Sequence, residues 1–429
     1  MKLIKKRILI LVAIFIIIFN SIITYARVYE DASQTDAYID ESTEVEEYIE
    51  DGVVETNAQT NIPQDNNDVL SLQSKSAILM EAGTGRILYE KNADEMLRPA
   101  SVTKIMTLLL IFEAIEDGSL TLEDTVTVSE HAASMGGSQC FFEAGEEQTV
   151  NDMIKCIEVA SGNDAAVAMA EHIAGSEEAF VAMMNERAKE LGMNNTNFAN
   201  ACGLENEAHL TTARDIALMS RELITRHPDI RNYSTIWMDS IVHKTKRGES
   251  QFDLANTNKF LNQYTGATGL KTGYTSQAKY CMSATAERNG IELIAVIMGA
   301  DTKEIRNTEA GKLLDYGFAK CSLYNDTETL PTDLKIPILN GTKKYIAYAP
   351  INNNQFVLVD QKPEMVIKEI VIYNNIEAPV HEGDILGVVQ YSYDGNVIHE
   401  EYIYAAEDIK KLSYMQSLKG LFEKTLMIQ

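Results

Sequence analysis

Three short runs in this 429-residue chain bring together a hydroxyl, a base and a cation: Ser101-Val102-Thr103-Lys104, Ser161-Gly162-Asn163 and Lys271-Thr272-Gly273. A serine near neutral pH does not give up its proton unaided, so Ser101 would need a neighbouring base. Lys104 can serve if burial and the positive end of a helix disfavour its ammonium form. Alone, the run reads better as a capping serine followed by a solvated lysine, and for Ser161 a helix N-cap is the alternative. A second S-x-x-K, Ser276-Gln277-Ala278-Lys279, shows how little the bare spacing means.

The elements that carry the two copies separate them. Residues 101–116 form an apolar run ended by Asp117-Gly118, which predicts a helix, where positions three apart share a face. Ser276 to Lys279 falls where a strand is expected, and there positions three apart face opposite ways. Ser161-Gly162-Asn163 lies at a break between helices expected at 151–159 and 164–174. A hydroxyl and an amide held on that loop can relay a proton and orient a carbonyl. Lys271 and Thr272 offer a cation and a hydroxyl to an anionic group, and Gly273 leaves a strand edge open to an extended ligand.

Around these runs, residues 76–81 and 86–90 read as strands about a glycine turn, and 279–287 with 291–299 as a hairpin on Asn289-Gly290. Further helices are expected at 177–191, 213–226 and 303–320. Strands at both ends with helices between them predict one mixed α/β (α+β) domain over residues 71–325. Short β-rich segments then predict a small all-β domain over 326–406. In the remaining 407–429, Leu412, Met415, Leu418, Phe422 and Leu426 recur at three and four, with four lysines against one glutamate from residue 409 on. Such a basic amphipathic helix either packs on the β-domain or lies in an anionic membrane surface.

A net charge of −26 argues against nucleic acid as a partner. The charge is unevenly spread. Residues 1–26 hold Lys2, Lys5, Lys6 and Arg7 before an apolar run and Thr24-Tyr25-Ala26, the three-part form of a secretory signal, with a retained anchor as the rival reading. Residues 27–70 are rich in Asp and Glu with no period, and read as a disordered spacer. Five widely spaced cysteines without C-x-x-C disfavour a disulfide framework or a zinc site.

All three runs in this order, 60 and then 110 residues apart, form the signature of penicillin-binding and β-lactamase-like serine acyl-enzymes. The sequence resembles the D-alanyl-D-alanine carboxypeptidases, the low-molecular-mass penicillin-binding proteins, over nearly everything after the spacer. The matching residues include Arg98-Pro99-Ala100 before Ser101, Thr211-Thr212-Ala213-Arg214-Asp215, Asn256-Thr257-Asn258 and Gly269-Leu270 before Lys271. The resemblance implies an exported serine peptidase, peripheral on the outer face of the cytoplasmic membrane or in the cell wall, acting on peptidoglycan stem peptides ending in D-Ala-D-Ala. By that analogy Ser101 attacks, Lys104 is the base, and Ser161 with Asn163 passes the proton to the leaving D-alanine. The backbone amides of Ser101 and Tyr274 make the oxyanion hole, while Lys271, Thr272 and Arg306 hold the terminal carboxylate. β-Lactams acylate the same serine, the tail helix meets an anionic membrane, and no metal or cofactor is implied. Where the family usually has Asp, this chain has Thr268, which puts the local electrostatics in doubt.

Rival readings have weaker support. A serine β-lactamase would carry E-x-x-L-N after the second run, and Glu207-Ala208-His209-Leu210 continues with Thr211. A D,D-transpeptidase or endopeptidase shares the chemistry, while a non-enzymatic penicillin-binding sensor would not need all the reactive groups intact. Neither H-E-x-x-H nor G-x-S-x-G occurs.

Overall fold

The computed structural model describes residues 69–245, 248–328, 330–331, 334–349 and 354–419. The expected signal, nearly all of the acidic spacer and the end of the tail lie outside the described residues. The main sheet contains β1 (Ser76–Glu81), β2 (Ile87–Lys91), β3 (Ala267–Thr275), β4 (Lys279–Arg288) and β5 (Ile291–Ala300), in the spatial order β2-β1-β5-β4-β3. All pairs are antiparallel, and Ile78 of β1 lies opposite Val296 of β5, so the two ends of the domain meet mid-sheet. The β4–β5 turn uses Asn289 and Gly290, both at positive φ, as its sequence demands.

Both faces of the sheet are covered, so its central strands read as nearly unbroken apolar runs. Ile78, Met80, Ile294 and Val296 join the larger core with the helices α1 (Lys104–Glu116), α2 (Val150–Glu158), α3 (Asn163–Ala174), α4 (Glu177–Glu190) and α5 (Ala213–Arg226). The alternate residues Ala77, Leu79, Leu293 and Ala295 face α6 (Lys303–Lys320) through Ala310, Leu313 and Leu314. Thr149, Ser176, Thr212 and Thr302 cap α2, α4, α5 and α6 by accepting a backbone N–H three residues on.

Two local expectations change. The helix expected from residue 101 opens as a 3-10 turn, Ala100–Thr103, and becomes α-helical only at Lys104. Of the second S-x-x-K, residues 276–278 make the tight turn between β3 and β4 and only Lys279 is on a strand, with Ala278 N–H donating to Thr275 Oγ1 at 3.0 Å and Lys279 exposed.

Strands Cys321–Asp326 and Asn354–Val359 pair, as do Ile336–Pro337 and Tyr345–Ile346, beside a three-stranded sheet of Ile367–Ile372, Ile385–Tyr393 and Asn396–Tyr404. Ile336, Phe356, Leu386, Tyr391 and Ile403 form their shared core. Ile409, where helix was expected to begin, is instead extended: it exchanges backbone hydrogen bonds with Val380 at 2.8 and 2.9 Å and is buried in this core. Helix starts at residue 414, where Tyr414 and Met415 are exposed. Among the described residues no helix is long and apolar enough to cross a membrane.

Candidate active site

The 3-10 turn that carries Ser101 is held from behind. Ala100 stands at φ 51°, and its carbonyl accepts from Thr103 Oγ1 at 2.8 Å. His209 Nε2 lies 2.8 Å from that same hydroxyl, while its Nδ1 accepts the Ala199 N–H at 3.0 Å, so Nε2 carries the proton and donates. Burial lowers the His209 pKa to about 4, keeping the ring neutral. Gly203 closes against the turn: a Cβ there would stand 1.9 Å from the Ala100 oxygen, and its φ of +87° also favours glycine.

Residues three apart eclipse in a 3-10 turn, so Ser101 and Lys104 are aligned more directly than on an α-helix. Lys104 Nζ donates to Ser101 Oγ at 3.1 Å, to Asn163 Oδ1 at 2.6 Å and to the Cys202 carbonyl at 2.7 Å. The lysine is fully buried. Burial pushes its pKa down to about 7; Cys202, Asp164 and Cys140 pull it back up, while the Lys271 charge lowers it further. Complete burial, with no carboxylate in a salt bridge to it among the described residues, gives a lysine that can lose its proton near neutral pH.

Asn163 opens α3, with its own N–H on the Ser138 carbonyl at 2.7 Å and its Nδ2 on the Gly136 carbonyl at 2.7 Å. Both ends of the amide are therefore fixed, with Oδ1 toward Lys104. Ser161 sits at φ 60° on the connection from α2, buried, its hydroxyl bonded to neither Lys104 nor Asn163. Asp164 is buried next door and receives the backbone N–H groups of Cys140 and Phe141 at 2.9 and 2.8 Å, tying the 138–141 loop to α3.

Strand β3, at the sheet edge, passes in front of the serine turn. A Cβ on Gly273 would meet the Pro99 oxygen at 2.8 Å and the Ser101 nitrogen at 3.0 Å. The glycine is required by the approach of its own strand to the serine turn, a reason its sequence context did not disclose. Lys271 is buried, its Nζ 3.4 Å from the Glu158 carbonyl, and Thr272 Oγ1 lies 3.4 Å from Thr257 Oγ1. Tyr274 is 56% exposed, with its ring 4.4 Å from that of Tyr280. Arg306 lies beside Tyr280, 5.9 Å from its ring, and donates from Nε and Nη2 to Asn307 Oδ1 at 3.0 and 2.9 Å. No hydrogen bond joins it to Lys271 or Thr272 among the described residues. Burial lowers its pKa to about 10, which leaves it charged at neutral pH.

Ser101, Lys104, Asn163 and Gly273 thus converge, with Lys271 and Thr272 further along the same strand. The supporting roles of Thr103, His209, Cys202, Gly203 and Asp164 are not disclosed by the sequence: Thr103 lies within a reactive run and Asp164 beside one, but their partners, like the other three residues, arrive through the fold. At the departure from the family pattern, Thr268 Oγ1 donates to Thr285 Oγ1 at 2.8 Å. Partial burial raises the pKa of Glu292, which pairs with Arg231 at 2.6 Å, and the Arg231 charge and the Thr268 hydroxyl oppose that rise. Among the described residues, no group of three His, Cys, Asp or Glu side chains is placed to hold a metal.

Comparison with known proteins converges on one group. The family model described as D-alanyl-D-alanine carboxypeptidase matches residues 59–302, and that of the penicillin-binding protein 5 C-terminal domain matches 318–411. The chain is 44% identical to the D-alanyl-D-alanine carboxypeptidase DacF of Bacillus subtilis over 82% of its own length and 89% of that protein. It is 31% identical to DacC of Escherichia coli, over 80% and 85%. In structure it resembles penicillin binding protein 5 from Haemophilus influenzae, with TM-score 0.67, 29% identity, and coverage of 79% of this chain and 98% of that one.

Proposed function

The chain belongs to the D-alanyl-D-alanine carboxypeptidases, serine hydrolases of the penicillin-binding kind, and from that premise we propose how its own residues carry the reaction. Ser101 Oγ attacks the carbonyl of the penultimate D-alanine of a peptidoglycan stem peptide while Lys104 takes its proton. The observation that carries this reading is Lys104 itself, buried, 3.1 Å from Ser101 Oγ and lowered to about 7. The backbone N–H groups of Ser101 and Tyr274, on the two segments that meet at Gly273, receive the developing oxyanion. Asn163 holds Lys104 and, with Ser161, returns the proton to the amine of the departing D-alanine. Lys271 and Thr272 hold the terminal carboxylate, and Arg306 supports that positive region from beside Tyr280. Water then attacks the acyl-enzyme, and a β-lactam acylates the same serine but leaves slowly.

The enzyme works outside the cell, exported by the basic and apolar residues 1–26 and resting peripherally on an anionic membrane through its basic tail. The exposed Tyr414 and Met415 support that placement.

Purified protein is expected to release D-alanine from an acyl-D-Ala-D-Ala peptide and to take one labelled penicillin at Ser101. Label and D-alanine release that both survive in Ser101→Ala would sink the reading. An amine acceptor in the same assay reports any transpeptidation.

A further inference from the structure

The site contains two buried lysines with opposite tasks. Lys104 must shed its proton to act as a base, whereas Lys271 must keep its proton to hold a carboxylate. Burial lowers both, so depth alone does not separate them. Something nearer one than the other must break the symmetry.

Glu158, the last residue of α2, is only 2% exposed, and neither carboxylate oxygen has a hydrogen-bond partner. A carboxylate buried without partners is costly unless a cation stands close by. Its own main-chain carbonyl accepts from Lys271 Nζ at 3.4 Å, the one hydrogen bond of that ammonium among the described residues. The two groups act on each other: burial raises the Glu158 pKa to about 7 while the Lys271 cation opposes the rise, and Glu158 in turn supports the Lys271 charge. Lys104 feels one carboxylate, Asp164, whose pull burial outweighs.

Other charges nearby are already engaged. Asp164 is committed to the amides of Cys140 and Phe141. Arg231, on the Arg231–Ser234 turn packed against α2, pairs with Glu287 and Glu292, and the Tyr233 hydroxyl of that turn donates to Asn151. Lys155 and Asp152 of α2 pair with each other, and Lys155 also pairs with Asp239.

We propose that Glu158 is the buried counter-ion of Lys271, a positioning residue that keeps this lysine charged for the substrate's terminal carboxylate while Lys104 goes neutral. This rests on the reading of Lys271 as the carboxylate holder. At more alkaline pH, losing the counter-ion discharges Lys271 and weakens substrate binding without touching the base.

The test is the pH profile of D-alanine release by Glu158→Gln, with Glu158→Met as a second uncharged replacement and penicillin labelling to count folded sites. The alkaline limb of kcat/KM should move at least about one pH unit lower, so that KM at pH 9 rises about tenfold while kcat changes less than about threefold. Glu158→Asp should restore part of the shift. Lys271→Met is measured alongside. If it raises KM while both Glu158 replacements leave KM and the alkaline limb unmoved, the counter-ion role is overturned and the carboxylate reading stands. If Lys271→Met leaves KM unchanged, the carboxylate reading fails and takes the counter-ion role with it.

Discussion

The chemistry proposed for Lys104 makes acylation a titration. With a midpoint at about 7, the neutral fraction is roughly one tenth at pH 6 and nine tenths at pH 8, so the acylation rate should rise about tenfold across that interval. The same shift affects stability. The folded state holds this pKa below the ordinary 10.5, so between about 7 and 10.5 the unfolded chain binds a proton that the folded chain lacks, and stability climbs with pH over that window. The cost at lower pH is up to about 5 kcal/mol for a group buried this completely. Lys104→Met removes that cost but leaves the Asn163 and Cys202 oxygens without their donor, at about 1–3 kcal/mol each. The variant should therefore fold with stability near that of the parent and lose its alkaline gain, while failing to acylate. Single-turnover acylation by a fluorescent penicillin between about pH 5.5 and 9, with denaturant melts at the same values, measures both. The acylation rise should persist in Glu158→Gln, because Lys104 sets it. A flat rate profile, or a midpoint near 10, would refute a neutral Lys104.

Three further expectations follow from the geometry. Gly273→Ala drives a Cβ against the Pro99 oxygen and the Ser101 nitrogen, so penicillin acylation should fall at least about a hundredfold with a stability loss of about 1–3 kcal/mol; a parent-like rate would mean that β3 does not bear on the serine turn. His209 is held neutral in the fold, so the parent should lose up to about 3 kcal/mol as pH falls from 6.5 toward 4, and His209→Ala should lose that dependence and acylate more slowly at every pH; melts across that range decide it. Removing residues 413–429 spares the Ile409–Val380 pairing, so the shortened chain should stay folded and active yet no longer sediment with anionic vesicles, and unchanged sedimentation would discount the tail.

Much of the catalytic domain could be read because its signals are local. Asn289-Gly290 specifies its own hairpin, and Thr212 with Asp215 marks the start of α5. The three reactive runs were legible as a set because their order and spacing are family traits. Other features depend on neighbours distant in sequence. Gly273 looks like an open strand edge until Ser101 is placed against it, and Glu158 looks like the polar end of an amphipathic helix until Lys271 arrives from β3. Ile409 fits the helical period of the tail, yet burial in the small domain holds it extended, since tertiary packing overrides a pattern that short.

The central place of β5 has a consequence for how the molecule comes into being. All three reactive runs are complete by residue 273, but the strand that joins β1 to β4 begins only at Ile291. Until it is made, the sheet exists as two separate hairpins, one leading into Ser101 and the other bearing Lys271. Pairings this distant in sequence form late and slowly. A chain emerging from the ribosome thus cannot close this sheet until the residues from Ile291 on are made. A chain cut short just before Ile291 would hold every reactive residue of the three runs and no assembled enzyme.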